Sequence, residues 1–179
     1  MLKFYTHDLD YFKERKIFGE KHRDMDFWNI ADNWPLFSGY VNMGRSLAIY
    51  ELLKQVIDIS GHIVELGTWN GANLMCMSKI MRLLSPHSLT ELYGFDSFEG
   101  LKQFSDKDGD QGKSSGLYKG NEEILREIIT LYKFEDFVHL VKGNIENTLP
   151  KFLEERPEIM FKFVYIDVDL YSSTKISIE

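Results

Sequence analysis

One apolar segment of this chain ends in an acid and two glycines. Glu65, Gly67 and Gly71 have the spacing Glu-x-Gly-x-x-x-Gly, and farther along the chain the apolar segment 92–95 ends in Asp96. In a doubly wound sheet, glycines after the first strand let the backbone approach a ligand, and an acid after the second strand accepts hydrogen bonds from ribose hydroxyls. These residues therefore predict a nucleoside-binding site.

The turn from Gly67 to Gly71, here called the glycine turn, is poorly suited to a diphosphate. A dinucleotide-binding turn reads Gly-x-Gly-x-x-Gly, whereas here the bulky Trp69 stands between Gly67 and Gly71. The turn suits a nucleoside ligand without phosphates, of which S-adenosylmethionine is the common example. The alternative is that the glycines only close a tight strand-to-helix turn, and that Asp96 caps the helix after it.

Polar residues also follow two later strands of the predicted sheet. Asp167 and Asp169 come at the end of one strand, where alternation would place both carboxylates on one face, suited to Mg²⁺ or Ca²⁺. Gly143 and Asn144 follow another strand, where they would meet an adenine edge. The alternatives are that the acids cap the helix beginning near Ser172 and that the Gly-Asn pair is a simple turn.

Apolar periodicity predicts that strands and helices alternate along most of the chain. The predicted strands are 62–66, 92–95, 137–141 and 161–166, and the predicted helices are 44–59, 72–84, a helix capped by Asn121, and a loop and helix over 144–155. The strands are nearly all apolar, which is typical of a mostly parallel sheet covered on both faces. We therefore expect an α/β, doubly wound fold, with a polar loop over 99–119 that closes over substrate.

The first 40 residues differ from the rest of the chain in their sequence pattern. Residues 1–40 are rich in aromatic side chains without a clear period; they predict short helices and loops that serve as a lid or a dimer arm. Residues 41–179 carry the alternating pattern of a Rossmann-like domain. Because the sequence stops shortly after the strand 161–166, we expect this domain to lack its C-terminal strands.

Composition excludes several classes of protein. The net charge is −7, with 44% hydrophobic and 27% charged residues, which argues against a nucleic-acid partner held by phosphate neutralisation. The single cysteine, Cys76, excludes an internal disulfide and fits a reducing compartment. The start lacks the apolar segment of a signal peptide, and no window approaches the ~20 apolar residues of a membrane span. We expect a cytoplasmic protein that does not enter a membrane.

Three segments resemble those of class I S-adenosylmethionine-dependent methyltransferases, and more narrowly the macrocin and mycinamicin type of sugar O-methyltransferase. They are Val-Glu-Leu-Gly-Thr-Trp-Asn-Gly-Ala at 64–72, Gly-Phe-Asp-Ser-Phe-Glu-Gly-Leu at 94–101, and Tyr-Ile-Asp-Val-Asp-Leu-Tyr-Ser-Ser-Thr at 165–174. The second string is the most specific. The resemblance, which covers residues 40–179, implies a Rossmann-like enzyme that methylates a hydroxyl of a sugar, glycosylated natural product or polysaccharide.

The resemblance also implies roles for individual residues. The cofactor-binding residues would be Glu65, Gly67, Thr68, Gly71, Asp96, Ser97, Phe98, Asn144 and Asp167. Asp167 would also be the catalytic residue and the first ligand of a Mg²⁺ ion that holds the acceptor hydroxyl, and Asp169 is the second candidate metal ligand. The family completes that metal site with acids after a fifth strand, which this sequence lacks. We therefore expect a chain that binds S-adenosylmethionine and turns over poorly.

Two other functions fit the same residues. One is a cofactor-binding interaction module, catalytically incomplete, whose open fourth strand pairs with another chain. The other is a Rossmann-type oxidoreductase, against which the bulky glycine turn argues. The expected partners of the methyltransferase are a sugar-containing small molecule and further copies of the chain in a homo-oligomer.

Overall fold

The computed structural model describes residues 9–102, 104–109 and 115–179, with the side chains of residues 9–12 excepted. The helices are α1 (Leu9–Lys21), α2 (Phe27–Asp32), α3 (Trp34–Phe37), α4 (Tyr40–Val56), α5 (Ala72–Leu84), α6 (Glu122–Leu131), α7 (Ile145–Glu155) and α8 (Tyr171–Ile178). The strands are β1 (His62–Leu66), β2 (Leu92–Asp96), β3 (Val138–Lys142) and β4 (Phe161–Ile166). Each predicted strand is present, and its observed bounds differ from the predicted ones by no more than one residue.

The chain divides into two compact units, Met1–Ile49 and Tyr50–Glu179. The first unit holds α1, α2 and α3, which are the short helices expected there; residues 1–8 of that segment lie outside the described residues. Its assignment as a lid or dimer arm stays a prediction. None of the helices in the described part of the chain is both long and apolar enough to cross a membrane.

The second unit is built on a parallel sheet. Within the described residues its strands are ordered β3-β2-β1-β4. From β1 to β3 the chain advances in one direction, and from β3 to β4 it crosses back past β1. Since crossovers between parallel strands are right-handed, this reversal places α5 and α6 on one face of the sheet and α7 on the other. The expected α/β, doubly wound fold is confirmed, and its switch point lies between β1 and β4.

Apolar side chains of alternate strand positions pack under α7. This cluster contains Val64, Leu66, Tyr93, Phe95, Ile145, Leu149 and Phe152. Because neighbouring side chains on a strand point to opposite faces, Ile63 and Glu65 are directed to the other face, which α5 covers. Both are completely buried. Strand β1 therefore carries one ionisable side chain into an otherwise apolar interior.

Asparagine side chains begin two of the helices. Asn121 accepts a hydrogen bond from the N–H of Ile124 at 3.1 Å, and Asn144 accepts one from the N–H of Glu146 at 2.9 Å. Such caps satisfy N–H groups that the first turn of a helix leaves unpaired. The helix predicted at 44–59 instead runs from Tyr40 to Val56, since one glycine inside a helix costs only about 1 kcal/mol.

The turn after β1 packs directly on the backbone after β4. Gly67 has a φ of +93°, and a Cβ at this position would lie 2.1 Å from the carbonyl oxygen of Asp167. The N–H of Asp167 in turn donates to the carbonyl of Leu66 at 2.8 Å. The contact of the two turns at the switch point therefore requires glycine at residue 67.

We predict that Gly67→Ala is strongly destabilising. The left-handed backbone costs an L-residue about 1–2 kcal/mol, and the collision with the Asp167 backbone adds to that cost. Gly116→Ala is the matched control, because Gly116 has a φ of +82° but open space where its Cβ would stand. Urea unfolding of both variants measures the difference, and equal losses of stability would contradict the packing argument.

Candidate functional site

The carboxyl ends of β1, β2 and β4 converge at the switch point. In open α/β sheets, ligands bind outside this edge, where loops of successive strands separate. The site residues predicted from sequence are distributed over the turns after these three strands and after β3. The structure brings the turns of β1, β2 and β4 together and leaves the turn of β3 at the far side of β2.

Asp96 joins the turn after β1 to the turn after β2. Its Oδ2 accepts a hydrogen bond from the N–H of Trp69 at 2.6 Å, and its Oδ1 accepts one from the N–H of Phe98 at 2.6 Å. Trp69 and Phe98 both have positive φ, 49° and 58°, which is uncommon for bulky residues and is concentrated at functional sites. A carboxylate has about four acceptor positions, so Asp96 retains the capacity to accept from a pair of hydroxyls.

Glu65 carries a carboxylate that is buried beneath the glycine turn. Its exposed fraction is 0%, and neither Oε1 nor Oε2 has a partner of hydrogen-bond geometry among the described residues. Burial raises the pKa of this carboxyl well above its usual range. The nearby Asn73 side chain and Leu74 N–H lower the pKa in part, whereas the charges of Asp167 and Asp96 raise it further.

Small residues hold the glycine turn close to the sheet. Gly71, which precedes α5 with a φ of +80°, leaves no room for a Cβ because the Leu125 side chain would lie 2.2 Å away. Thr68 is buried, and its hydroxyl donates to the carbonyl of Phe95 at 3.4 Å. A Cβ on Gly94 would meet Thr68 Oγ1 at 2.8 Å. The backbone of this turn is thus placed by packing against α6 and β2.

The segment after Asp96 borders a cavity. Ser97 Oγ accepts the N–H of Glu99 at 3.2 Å, and the Phe98 ring is buried. Beyond Phe98 lies a cavity of about 540 Å³, lined also by Lys119, Lys142 and the first turn of α6. The size is within the range of small-molecule sites. Asp96 does not line the cavity itself but binds the N–H of Phe98, which does.

Asn144 lies one strand away from Asp96. The N–H of Gly143 donates to the carbonyl of Asp96 at 2.9 Å, which fixes the end of β3 beside the end of β2. The Asn144 side chain serves as the N-cap of α7. Its predicted contact with an adenine edge stays a prediction.

The two acids after β4 do not continue the strand. The strand ends at Ile166, and Asp169 has a φ of +59°, so the alternation that would place Asp167 and Asp169 on one face does not extend to them. Both are exposed. Partial loss of hydration raises the pKa of the Asp169 carboxyl, and the charge of Asp167 raises it further. The described residues contain no group of three potential ligands for a metal.

Three residues of this region carry no sequence signal of a role. The N–H of Trp69 holds Asp96, the Asn70 side chain accepts the N–H of Asn121 at 3.2 Å, and Asn73 lies near Glu65. Each acts through a main-chain group or through a partner distant in sequence. Such pairings are set by the fold, and no spacing rule anticipates them.

The arrangement favours a positively charged ligand that carries hydroxyl groups. Glu65, Asp96 and Asp167 are close enough for their charges to interact, and no basic side chain is among the groups that shift the pKa of Glu65. Nearby like charges disfavour ionisation, so a cation placed among them would be stabilised. Asp96 supplies the acceptors for hydroxyls on the same ligand.

Comparison with known proteins identifies relatives of this chain. The family model described as macrocin O-methyltransferase matches residues 4–179. Demethyldecarbamoylnovobiocin O-methyltransferase from Streptomyces niveus is 26% identical over 168 residues, which cover 86% of this chain and 62% of that protein. The chain thus spans less than two thirds of the length of this curated relative.

Solved structures agree in fold. CalS11, a calicheamicin methyltransferase, superposes with a TM-score of 0.80 at 26% identity, covering 92% of this chain and 69% of CalS11. A second structure of CalS11, described as a TDP-rhamnose 3'-O-methyltransferase, gives a TM-score of 0.70, with 26% identity over 92% of this chain and 68% of that one. The O-methyltransferase NovP, 24% identical, shares the fold with a TM-score of 0.64 over 75% of this chain and 57% of NovP.

We predict that Glu65→Gln stabilises the protein without ligand. The pKa of Glu65 is raised in the folded state. The free energy of unfolding of the wild type therefore falls as the pH rises from the unfolded pKa of this carboxyl, about 4.3, towards its folded pKa. Glutamine does not titrate, so the variant does not show this fall. We expect a gain at pH 8 of about 1.4 kcal/mol for each unit by which burial raises the pKa of this carboxyl, and a smaller gain at pH 4.5, where the wild-type carboxyl is still partly protonated in the unfolded chain. Urea unfolding at the two pH values measures it; a gain independent of pH would contradict this account.

Proposed function

Because the chain belongs to the macrocin O-methyltransferase family, we propose that it binds S-adenosylmethionine at the carboxyl ends of β1 and β2 and transfers the methyl group to a hydroxyl of a sugar-containing small molecule. The observation that carries this proposal is the Asp96 carboxylate, held between the turns of β1 and β2 by two main-chain N–H groups. The similarity to methyltransferases of novobiocin and calicheamicin biosynthesis supports an acceptor from glycosylated natural products.

The residues present fit this cofactor. Asp96 would accept hydrogen bonds from the ribose hydroxyls, and Phe98, with the cavity beyond it, would receive the adenine. The glycine turn and the unpaired carboxylate of Glu65 would face the positively charged methionine end. A cationic ligand offsets the mutual repulsion of these acids, which is why the same group that lacks a partner in the protein suits S-adenosylmethionine.

The bound cofactor supplies an activated methyl group on a sulfonium. The protein therefore has to align an acceptor oxygen and exclude water, and positioning of this kind contributes up to about 7–11 kcal/mol in favourable systems. The backbone of Asp167 lies against Gly67, and its charge acts on Glu65, so its carboxylate is the group to which we assign receipt of the proton of an acceptor hydroxyl. Its catalytic role is part of this proposal.

A magnesium ion is not supported by the described residues. Asp167 and Asp169 are two exposed carboxylates, and the described part of the chain adds no third ligand beside them. Mg²⁺ usually keeps several waters and is held by one or two protein carboxylates, so two exposed acids by themselves do not define a site for it. No step of the reaction is assigned to a metal.

We predict that Asp96→Ala weakens binding of S-adenosylhomocysteine about 10- to 100-fold. The variant loses hydrogen bonds to a charged acceptor, worth about 1.5–3 kcal/mol each. Asp136→Ala is the matched control, since Asp136 is exposed and precedes β3 at the opposite edge of the sheet.

Isothermal titration calorimetry with and without Mg²⁺ measures this effect, and we expect the same affinity in both buffers. Equal affinity of wild type and Asp96→Ala would contradict the assigned site. Binding of NAD in place of S-adenosylhomocysteine would favour the oxidoreductase. Methyl transfer to candidate sugar acceptors then tests the reaction itself.

A second candidate function rests on the edge of the sheet. Strand β4 has no partner on one side among the described residues, and Val164 and Ile166 are 47% and 38% exposed. An apolar edge strand of this kind is a template for pairing with another chain. The chain would then be a cofactor-binding interaction module.

We predict for this second function that the mass of the protein in solution rises with concentration and that Val164→Lys prevents the rise. Leu89→Lys is the control, because Leu89 is 92% exposed in the loop between α5 and β2. Sedimentation velocity at several concentrations measures the mass. Association that persists in Val164→Lys would exclude pairing through β4.

A further inference from the structure

The loop between β2 and α6 is tied to a distant helix. Residues 104–109, here called the strap, contain a single 3₁₀ turn at 106–109. Asp108 Oδ1 accepts a hydrogen bond from the N–H of Tyr171 at 2.6 Å, and Lys107 Nζ donates to the Tyr171 hydroxyl at 2.8 Å. Tyr171 is the first residue of α8, which follows β4. The strap therefore links the loop after β2 to the helix after β4.

Asp108 is the main anchor of the strap. Its Oδ2 also accepts hydrogen bonds from the N–H and the hydroxyl of Ser105, each at 2.6 Å. Leu170, which precedes α8, makes no side-chain cap, so Asp108 supplies from a remote loop the acceptor that an N-cap normally provides. These hydrogen bonds hold the pKa of the Asp108 carboxyl below its usual value, so this carboxylate is charged at neutral pH.

Lys107 adds a second contact to the same residue. Its Nζ lies 4.1 Å from the centroid of the Tyr171 ring, over which the ammonium makes a cation–π contact. The hydrogen bond from Lys107 lowers the pKa of the Tyr171 hydroxyl. Tyr171 is thus held through both its backbone and its side chain.

The base of the same loop lies on the glycine turn. The N–H of Leu101 donates to the carbonyl of Leu117 at 2.8 Å, which closes the base of the loop. On the returning limb, the Tyr118 ring meets the Trp69 ring edge-on with centroids 5.6 Å apart. A Cβ on Gly120 would lie 2.4 Å from the Trp69 carbonyl. The returning limb of the loop therefore lies against the turn after β1.

The strand order relates the strap to the candidate site. Strand β1 lies between β2 and β4, so the strand that precedes the strap and the helix that the strap contacts flank the carboxyl end of β1. That end carries Glu65 and Gly67, the residues assigned to the methionine end of the cofactor.

We propose that residues 104–109 cross the carboxyl end of β1 and retain the bound nucleoside cofactor, and that the contact of Asp108 with Tyr171 must open before the cofactor exchanges. This inference rests on the proposed binding site for S-adenosylmethionine. Asp108 is then a positioning residue, because it acts through the strap without contacting the cofactor. Loss of the Asp108 side chain raises the rate of cofactor dissociation more than it lowers the rate of cofactor association.

The test compares Asp108→Ala with Asp106→Ala. Asp106 carries the same charge on the same turn and is exposed, whereas the contacts with Tyr171 come from Lys107 and Asp108. S-adenosylhomocysteine dissociation is followed by stopped-flow displacement, and amide hydrogen exchange of Tyr171 is measured without ligand. We expect dissociation about 10-fold faster and faster Tyr171 exchange in Asp108→Ala, with neither changed in Asp106→Ala.

Each result decides the proposal. Equal dissociation rates in wild type and Asp108→Ala, with binding still sensitive to Asp96→Ala, would overturn the strap and leave the cofactor site in place. Unchanged Tyr171 exchange in Asp108→Ala would show that the contact does not hold the strap. Absence of S-adenosylhomocysteine binding to wild type would overturn the proposed function and the strap with it.

Discussion

The Asp96 carboxylate is the interaction on which the candidate site depends. Its two oxygens hold the main-chain N–H groups of Trp69 and Phe98, and both of these residues have left-handed backbone conformations. Such conformations cost about 1–3 kcal/mol each and persist where surrounding contacts over-determine them. Asp96 supplies those contacts, so one side chain both shapes the turns after β1 and β2 and presents acceptors to a ligand.

The electrostatics of the site are arranged for a ligand rather than for the stability of the free protein. Glu65 is buried, has no hydrogen-bond partner in the part of the chain that the structure describes, and has its pKa raised further by the nearby charges of Asp167 and Asp96. A buried group of this kind is destabilising unless something pairs with it. Residues that conflict with stability in this way are characteristic of functional sites. A positively charged, hydroxyl-bearing cofactor would resolve the conflict, and the family of the chain is one whose members are O-methyltransferases.

The strand order reverses between β1 and β4, and the candidate binding site lies at the carboxyl ends of the strands at this point. Strand β1 stands between β2 and β4, and Gly67 lets the turn after β1 touch the backbone of Asp167. The same order places the helix that begins at Tyr171, to which Asp108 is bound, on the far side of β1 from β2. One strand order therefore accounts for the crevice and for the proximity of the acids.

The sequence by itself determined the alternation of strands and helices, the doubly wound class of the fold, the Asn121 cap and the resemblance to the methyltransferase family, because these depend on local periodicity and on residues close in sequence. The positions of Glu65, Gly67 and Asp96 at strand ends followed from the same patterns. The tertiary structure decided that Glu65 has no hydrogen-bond partner among the described residues, that Asp96 binds Trp69, and that Asp108 caps α8 across 63 residues of sequence. It also ended β4 before Asp167 and turned Asp169 into a left-handed conformation, so strand alternation does not explain why these two acids interact; their role as metal ligands stays a prediction. Hydrogen bonds and charges between distant residues arise only when strand order brings them together, and no periodicity records that order.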